Sequence, residues 1–232
     1  MRKLILPSSA AVLLFAFTAT ALSQTTIEIV QSGNGGAHSA APVQYHYLFE
    51  NQRFTVPIQE VEFDGDGQGK FRFRRKDSEE IVNTLSVSAN VLSQIKSLFD
   101  ELNFLASEEN YQHKKDFSHL GTTTITYLRS GQGRTISFNY TDSPAMNRLN
   151  DIFRNLVTQE TRMFELETVL QNDPISMPAQ LRLLDSEMKS KRIADPQRFV
   201  PMLKNLKLDE SVPLIARNHA ERLLQAIKKG KW

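Results

Sequence analysis

Two histidines and an acid lie close together in the stretch YQHKKDFSHLG: His113, Asp116 and His119. Two imidazoles and a carboxylate can hold zinc or iron and leave positions open for substrate. A metal-dependent hydrolase is the activity such a group would support. The spacing matches no standard metal motif, and Lys114 and Lys115 would repel a cation brought between the histidines. His113, Asp116 and His119 are therefore metal-ligand candidates set in a polar loop.

Other residue groups carry a weaker chemical message. Arg217, His219 and Glu221 share a segment whose apolar stripe is Ala216, Ala220, Leu223 and Ile227. At helical spacing His219 falls about 60° off that stripe, at the boundary between core and water. Arg217 and His219 are the binding candidates there. The run DGDGQG puts Asp64, Asp66, Gln68 and Gly69 at the first, third, fifth and sixth positions of a calcium loop. Its twelfth position is Arg75, where calcium needs a bidentate carboxylate, so the run reads as a turn. Arg72, Arg74 and Arg75 could form an anion patch, but Glu60 and Glu62 on the facing strand point to a solvated charge ladder. The chain has no cysteine, and no nucleophile-elbow, zinc-protease or phosphate-loop motif occurs. No cofactor is expected.

The first residues read as an address. Arg2 and Lys3 precede the short apolar run Ala10 to Phe17, and the small-residue patterns Ala19-Thr20-Ala21 and Ala21-Leu22-Ser23 follow. That layout is a secretory signal peptide over residues 1–23, cleaved near Leu22 or Gln24. Export predicts a secreted or periplasmic protein. The whole chain has 28 Lys+Arg and 26 Asp+Glu, and both of the removed charges are basic, so the mature chain is balanced. That balance gives no electrostatic case for nucleic acid, and no later apolar run is long enough to span a membrane. The expected partner is an unidentified protein or a component of the cell envelope.

These candidates need elements to position them. Thr25 to Val30 reads as a short strand, and residues 31–42, with His38, as a Gly/Ser-rich linker. Gln44 to Asn51 reads as a strand. In Ile58 to Arg75, Val61, Phe63, Phe71 and Phe73 alternate with charged residues about a glycine-rich turn. A hairpin centred on Gly67 would pair Phe63 with Phe71, Val61 with Phe73, Glu62 with Arg72 and Glu60 with Arg74. Val91, Leu92, Ile95, Leu98, Phe99 and Leu102 then mark one face of a helix capped by Ser88.

A second hairpin runs from Thr122 to Tyr140. Centred between Gly131 and Gln132, it would pair Tyr127 with Ile136, Ile125 with Phe138 and Thr123 with Tyr140. Ser143 and Pro144 open a helix whose stripe runs from Leu149 to Leu170. At roughly 40 Å that helix would overhang a sheet of seven-residue strands, so its far end needs a partner. Both hairpin turns contain Gly-Gln-Gly-basic, but the apolar parity after the two turns differs by one residue, so a duplicated β-β-α unit stays an open alternative.

The remaining segments, opening at Pro178, Asp195-Pro196, Pro201 and Pro213, read as helices. Pro201, Leu203, Leu206 and Asp209, followed by Arg217, Ala220, Leu224 and Ile227, resemble a HEAT-type helical hairpin. The resemblance implies a helix pair docked on the rest of the chain.

The expected fold is α+β. Antiparallel β-hairpins carry helices on one face in the order β-β-α-β-β-α, and a helical segment completes the chain. The expected divisions are residues 1–23, 24–42, 43–172 and 173–232. A non-catalytic binding or structural module is the expected role, with the hydrolase at His113–His119 as the alternative.

Overall fold

Strand β1 (Gln44–Glu50) is first among the described strands but central in the sheet. On one side it pairs with β2 (Ile58–Asp64), which pairs with β3 (Gln68–Arg74) and then β4 (Glu80–Ser86). On the other side it pairs with β5 (Thr122–Arg129), which pairs with β6 (Gln132–Phe138). Every pairing is antiparallel. The computed structural model describes residues 43–232. The expected signal peptide, the strand at Thr25–Val30 and the linker with His38 lie outside the described residues.

The sheet is α+β in the expected sense, with one dry face. Tyr45, Tyr47, Val61, Phe63, Phe71, Phe73, Leu85, Ile125, Tyr127 and Phe138 are buried against two helices. Each such side chain contributes roughly 1.5–3 kcal/mol by leaving water. Helix α1 (Ala89–Glu101) buries Val91, Leu92, Ile95, Leu98 and Phe99, the stripe read from its sequence. Helix α2 (Pro144–Asn172) starts where Ser143 accepts the Met146 N–H and Pro144 fills the first turn.

The hairpin registers differ from the expected ones by two residues. In β2–β3, Val61 lies opposite Phe71, Glu60 opposite Arg72 and Ile58 opposite Arg74. The cause is the turn. One Asp64 Oδ1 accepts the N–H groups of both Asp66 and Gln68, each at 2.9 Å, and Gly67 takes φ +78°. The loop thus closes over Gly65, Asp66 and Gly67, centred one residue earlier than Gly67. In β5–β6, Ser130 (φ 53°) and Gly131 (φ 80°) form the two-residue loop. Arg129 faces Gln132, Ile125 faces Ile136 and Thr123 faces Phe138. Tyr140 therefore lies beyond the strand and is exposed. A two-residue shift leaves every side chain on its expected face, because the side-chain period is two.

Two further corrections concern order. Strand β4 is an addition to the sequence reading: four strands precede α1, rather than the strand at Gln44–Asn51 and one hairpin. Its core row contains Ile81, Asn83 and Leu85 while Val82 stands on the wet face at 50% exposure, which blurs the alternation. The shared Gly-Gln-Gly-basic sequences also part ways. Gly69 sits in the row of Phe63 and Leu85, and a Cβ there would fall 1.8 Å from the Glu62 carbonyl oxygen. Gly133 faces Leu128 on the opposite side of the sheet. Lys70 accordingly points to water, whereas Arg134 stands over the Phe104 and Tyr111 rings.

Beyond the sheet, α2 enters a second apolar cluster. Leu166 joins α3 (Met177–Lys189), α4 (Val200–Leu208) and α5 (Leu214–Lys228) around Leu181, Leu184, Phe199, Leu203, Leu206, Ala216 and Ala220. The overhang expected of α2 is thus covered by the helical C-terminal segment. At the crossing between the two clusters the helix is buried on polar residues: Gln159 is 1% exposed and Glu160 is 6% exposed.

Candidate functional site

The loop bearing the metal-ligand candidates is tied to itself and to the end of β6. His113 Nδ1 accepts the Lys115 N–H at 2.8 Å, and its Nε2 lies 3.3 Å from Asp142. Asp116 Oδ1 accepts from the Ser118 N–H (2.9 Å) and the Asn139 amide (2.6 Å). The His119 ring is exposed against Phe117, while its carbonyl accepts from Asn51. Among the described residues no group of three metal-ligating side chains comes together, here or elsewhere. The same loop builds a small aromatic surface instead, with His113, Phe117 and Tyr140 in mutual contact.

Arg217 and His219 do not form one site. Two residues apart on α5, they point to different sides of the helix. The His219 ring is largely buried, with Nε2 3.9 Å from Asp185 of α3. Burial lowers its pKa from the ordinary value, Arg222, Lys189 and Arg182 add to that, and Asp185 opposes it. Arg217 contributes to holding Asp209 ionised, after the larger effect of the Ser211 hydroxyl and N–H.

The wet face of the sheet carries a chain of charges that sequence reasoning located only in part. His46 Nε2 lies 2.6 Å from Glu60 Oε1. Arg72 reaches Glu60 through Nε at 2.9 Å and Glu62 through Nη2 at 2.8 Å. Glu62–Arg72 is thus a diagonal pair, and Glu60 faces Arg72 in place of Arg74. The hydrogen bond with His46 is the largest influence lowering the Glu60 pKa, and Arg72 lowers it further against the cost of burial. Arg75 leaves this ladder altogether. It pairs with Glu165 on α2 and lies over the Phe73 and Phe164 rings. The calcium-like run is the β2–β3 turn, as its residue types implied.

The cleft with the most convergent chemistry lies where the sheet, α2 and the end of α3 meet. Its cavity volume is about 290 Å³. Tyr47, Phe49 and Phe54 supply aromatic walls, with Gln59 and Val157 beside them. Phe54 projects from the β1–β2 loop at 48% exposure and packs on Phe49 with ring centroids 5.8 Å apart. From α2 come Arg154, Thr158, Thr161 and Arg162, and from α3 and its following turn come Glu187 and Arg192.

The charges in this cleft have different roles. Arg162 holds Glu187 through two hydrogen bonds of 2.8 Å and donates a third, of 2.7 Å, to Gln180. Arg154 and Arg192 make no ion pair among the described residues. The Arg154 charge is felt inside the cleft, where it partly offsets the burial that pushes the Tyr47 hydroxyl up to about 12. The Thr161 hydroxyl is buried without a hydrogen-bond partner among the described residues.

Three larger depressions occur among the described residues. Two run along helix pairs, at about 570 and 640 Å³. Arg148 in the first is paired with Glu101, and Lys207 in the second with Glu221, and neither has an aromatic wall. The third, of about 440 Å³, shares Phe54 and Gln59 with the cleft.

Sequence reading missed the cleft because its parts are distant in the chain. The one local signal was the i, i+4, i+7, i+8 run of Arg154, Thr158, Thr161 and Arg162, a polar stripe beside an apolar one. No protein-family model matches the sequence, and no curated protein matches it.

Proposed function

We propose that the protein is an exported, non-catalytic binding module whose ligand site is the cleft between β1–β2, α2 and the end of α3. The observation carrying this reading is the convergence of aromatic walls with two guanidiniums and a hydroxyl that have no partner among the described residues, in one concavity. A largely apolar hollow with a few aimed polar groups is how proteins hold small ligands. The histidine loop supports catalysis less well, since His113 and Asp116 already serve as acceptors within the loop. Export is supported by the charged, apolar and small-residue layout of residues 1–23.

Ligand-observed NMR with a fragment library tests the site. Hits should lose their signal with Phe54→Ala and Arg154→Gln, changes at exposed positions that leave the fold in place. Hits indifferent to both changes, or metal-dependent hydrolysis that requires His113 and His119, would replace this reading with another.

A further inference from the structure

We propose that the ligand of this cleft is an aromatic carboxylate, a small acid in which a carboxylate is joined to a flat ring. The proposal rests on the cleft being the binding site. Three features select that chemistry. Phe49 and Phe54 are tilted 45° to each other, and with Tyr47 they form a surface on which one more ring completes an aromatic cluster. Arg154 and Arg192 face the same hollow without ion pairs among the described residues, and a guanidinium fork matches a carboxylate bidentately. Arg162 is not available for this task, because Glu187 occupies two of its donors and Gln180 a third.

Charge narrows the class further. Arg162 and Glu187 neutralise each other, so the uncompensated charge in the cleft is that of Arg154 and Arg192, which favours an anionic group on the ligand. The Thr161 hydroxyl adds a neutral donor that a carboxylate oxygen can take up.

Phenylacetate, benzyl alcohol and inorganic phosphate test the parts separately by NMR titration of the protein. Phenylacetate should bind saturably. Benzyl alcohol, a ring without charge, and phosphate, a charge without a ring, should each bind at least about tenfold more weakly, as the loss of a charge-assisted contact or of an aromatic contact implies. Arg154→Gln should weaken phenylacetate about tenfold and leave benzyl alcohol unchanged, because only the charged contact is removed. Arg74→Gln, on the other face of the sheet, should change neither. Phosphate binding as tightly as phenylacetate, or phenylacetate binding that ignores Arg154→Gln, overturns the ligand class. If fragments still map to Phe54 and Arg154 in that case, the cleft stands as the site. If nothing maps there, the binding reading fails with the ligand class.

Discussion

Arg162 on α2 grips Glu187 on α3 with Nε and Nη2, each 2.8 Å from a different carboxylate oxygen, and both side chains are nearly buried at 12% and 11% exposure. The pair sits where the sheet's apolar cluster gives way to the helical one. Removing one partner should cost about 3–5 kcal/mol, because the other charge is then left unpaired away from water. Arg162→Met alone should therefore be more damaging than Arg162→Met with Glu187→Leu. Urea unfolding of the parent, both single variants and the double variant measures this; a double-variant loss equal to the sum of the two single losses would show that the pair is not coupled.

The β2–β3 register makes a second prediction. Glu60 lies opposite Arg72 and contacts it, whereas Arg74 lies opposite Ile58. A double-mutant cycle on Glu60 and Arg72 should give a coupling of about 0.5–1 kcal/mol, and the cycle on Glu60 and Arg74 should give almost none. Phe71→Ala, at a fully buried position, should cost about 3–5 kcal/mol. A larger coupling to Arg74 would return the hairpin to a centre at Gly67.

Stability should fall on acidification in two separate limbs. The Glu60 pKa in the folded protein is below its ordinary 4.5, so its contribution is complete above that value. It is lost as the pH falls from there through the lower folded value. The His219 pKa is below its ordinary 6.5, so the unfolded chain takes up that proton first and stability drops as the pH falls through 6.5. Urea midpoints against pH should lose the upper limb in His219→Gln and lose part of the lower limb in Glu60→Gln. A His219→Gln profile parallel to the parent's would remove histidine from the account.

The purified protein should carry no stoichiometric zinc, iron or calcium. The ring and carboxylate atoms of His113 and Asp116 already accept hydrogen bonds, and the β2–β3 turn uses Asp64 to fix its own backbone. Elemental analysis after dialysis reads the outcome directly. One ion per chain, lost with His113→Ala and His119→Ala, would restore the hydrolase reading.

Processing gives the last prediction. N-terminal sequencing of the exported protein should begin near Leu22 or Gln24, after the small-residue patterns. A mature protein still carrying Met1 would contradict the signal-peptide assignment.

Faces were legible in this sequence and registers were not. Val61, Phe63, Phe71 and Phe73 announce a dry side by alternation alone, and any even shift of pairing preserves it. The choice between shifts was made by Asp64 bonding two turn N–H groups and by Ser130 entering the left-handed region beside Gly131. The helices α1 and α2 were readable because their stripes and the Ser143–Pro144 start of α2 are local, whereas the Ser88 hydroxyl expected to cap α1 makes no capping hydrogen bond. Strand β4 was obscured because Asn83 occupies its core row and Val82 its wet row. The cleft was invisible for a different reason: Phe54, Arg154 and Arg192 lie about a hundred residues apart or more at the extremes, and nothing local links them.

The central place of β1 sets the order in which this chain can complete itself. As it is synthesised, β1 to β4 can assemble from neighbouring hairpins, but the other edge of β1 waits for Leu128 to meet Gln44. Until then a half-built sheet presents Tyr45 and Tyr47 on an unpaired edge, the geometry that invites another chain to dock. The pairing that closes it spans more sequence than any other in the sheet, and long-range pairing of this kind is intrinsically slower than hairpin formation.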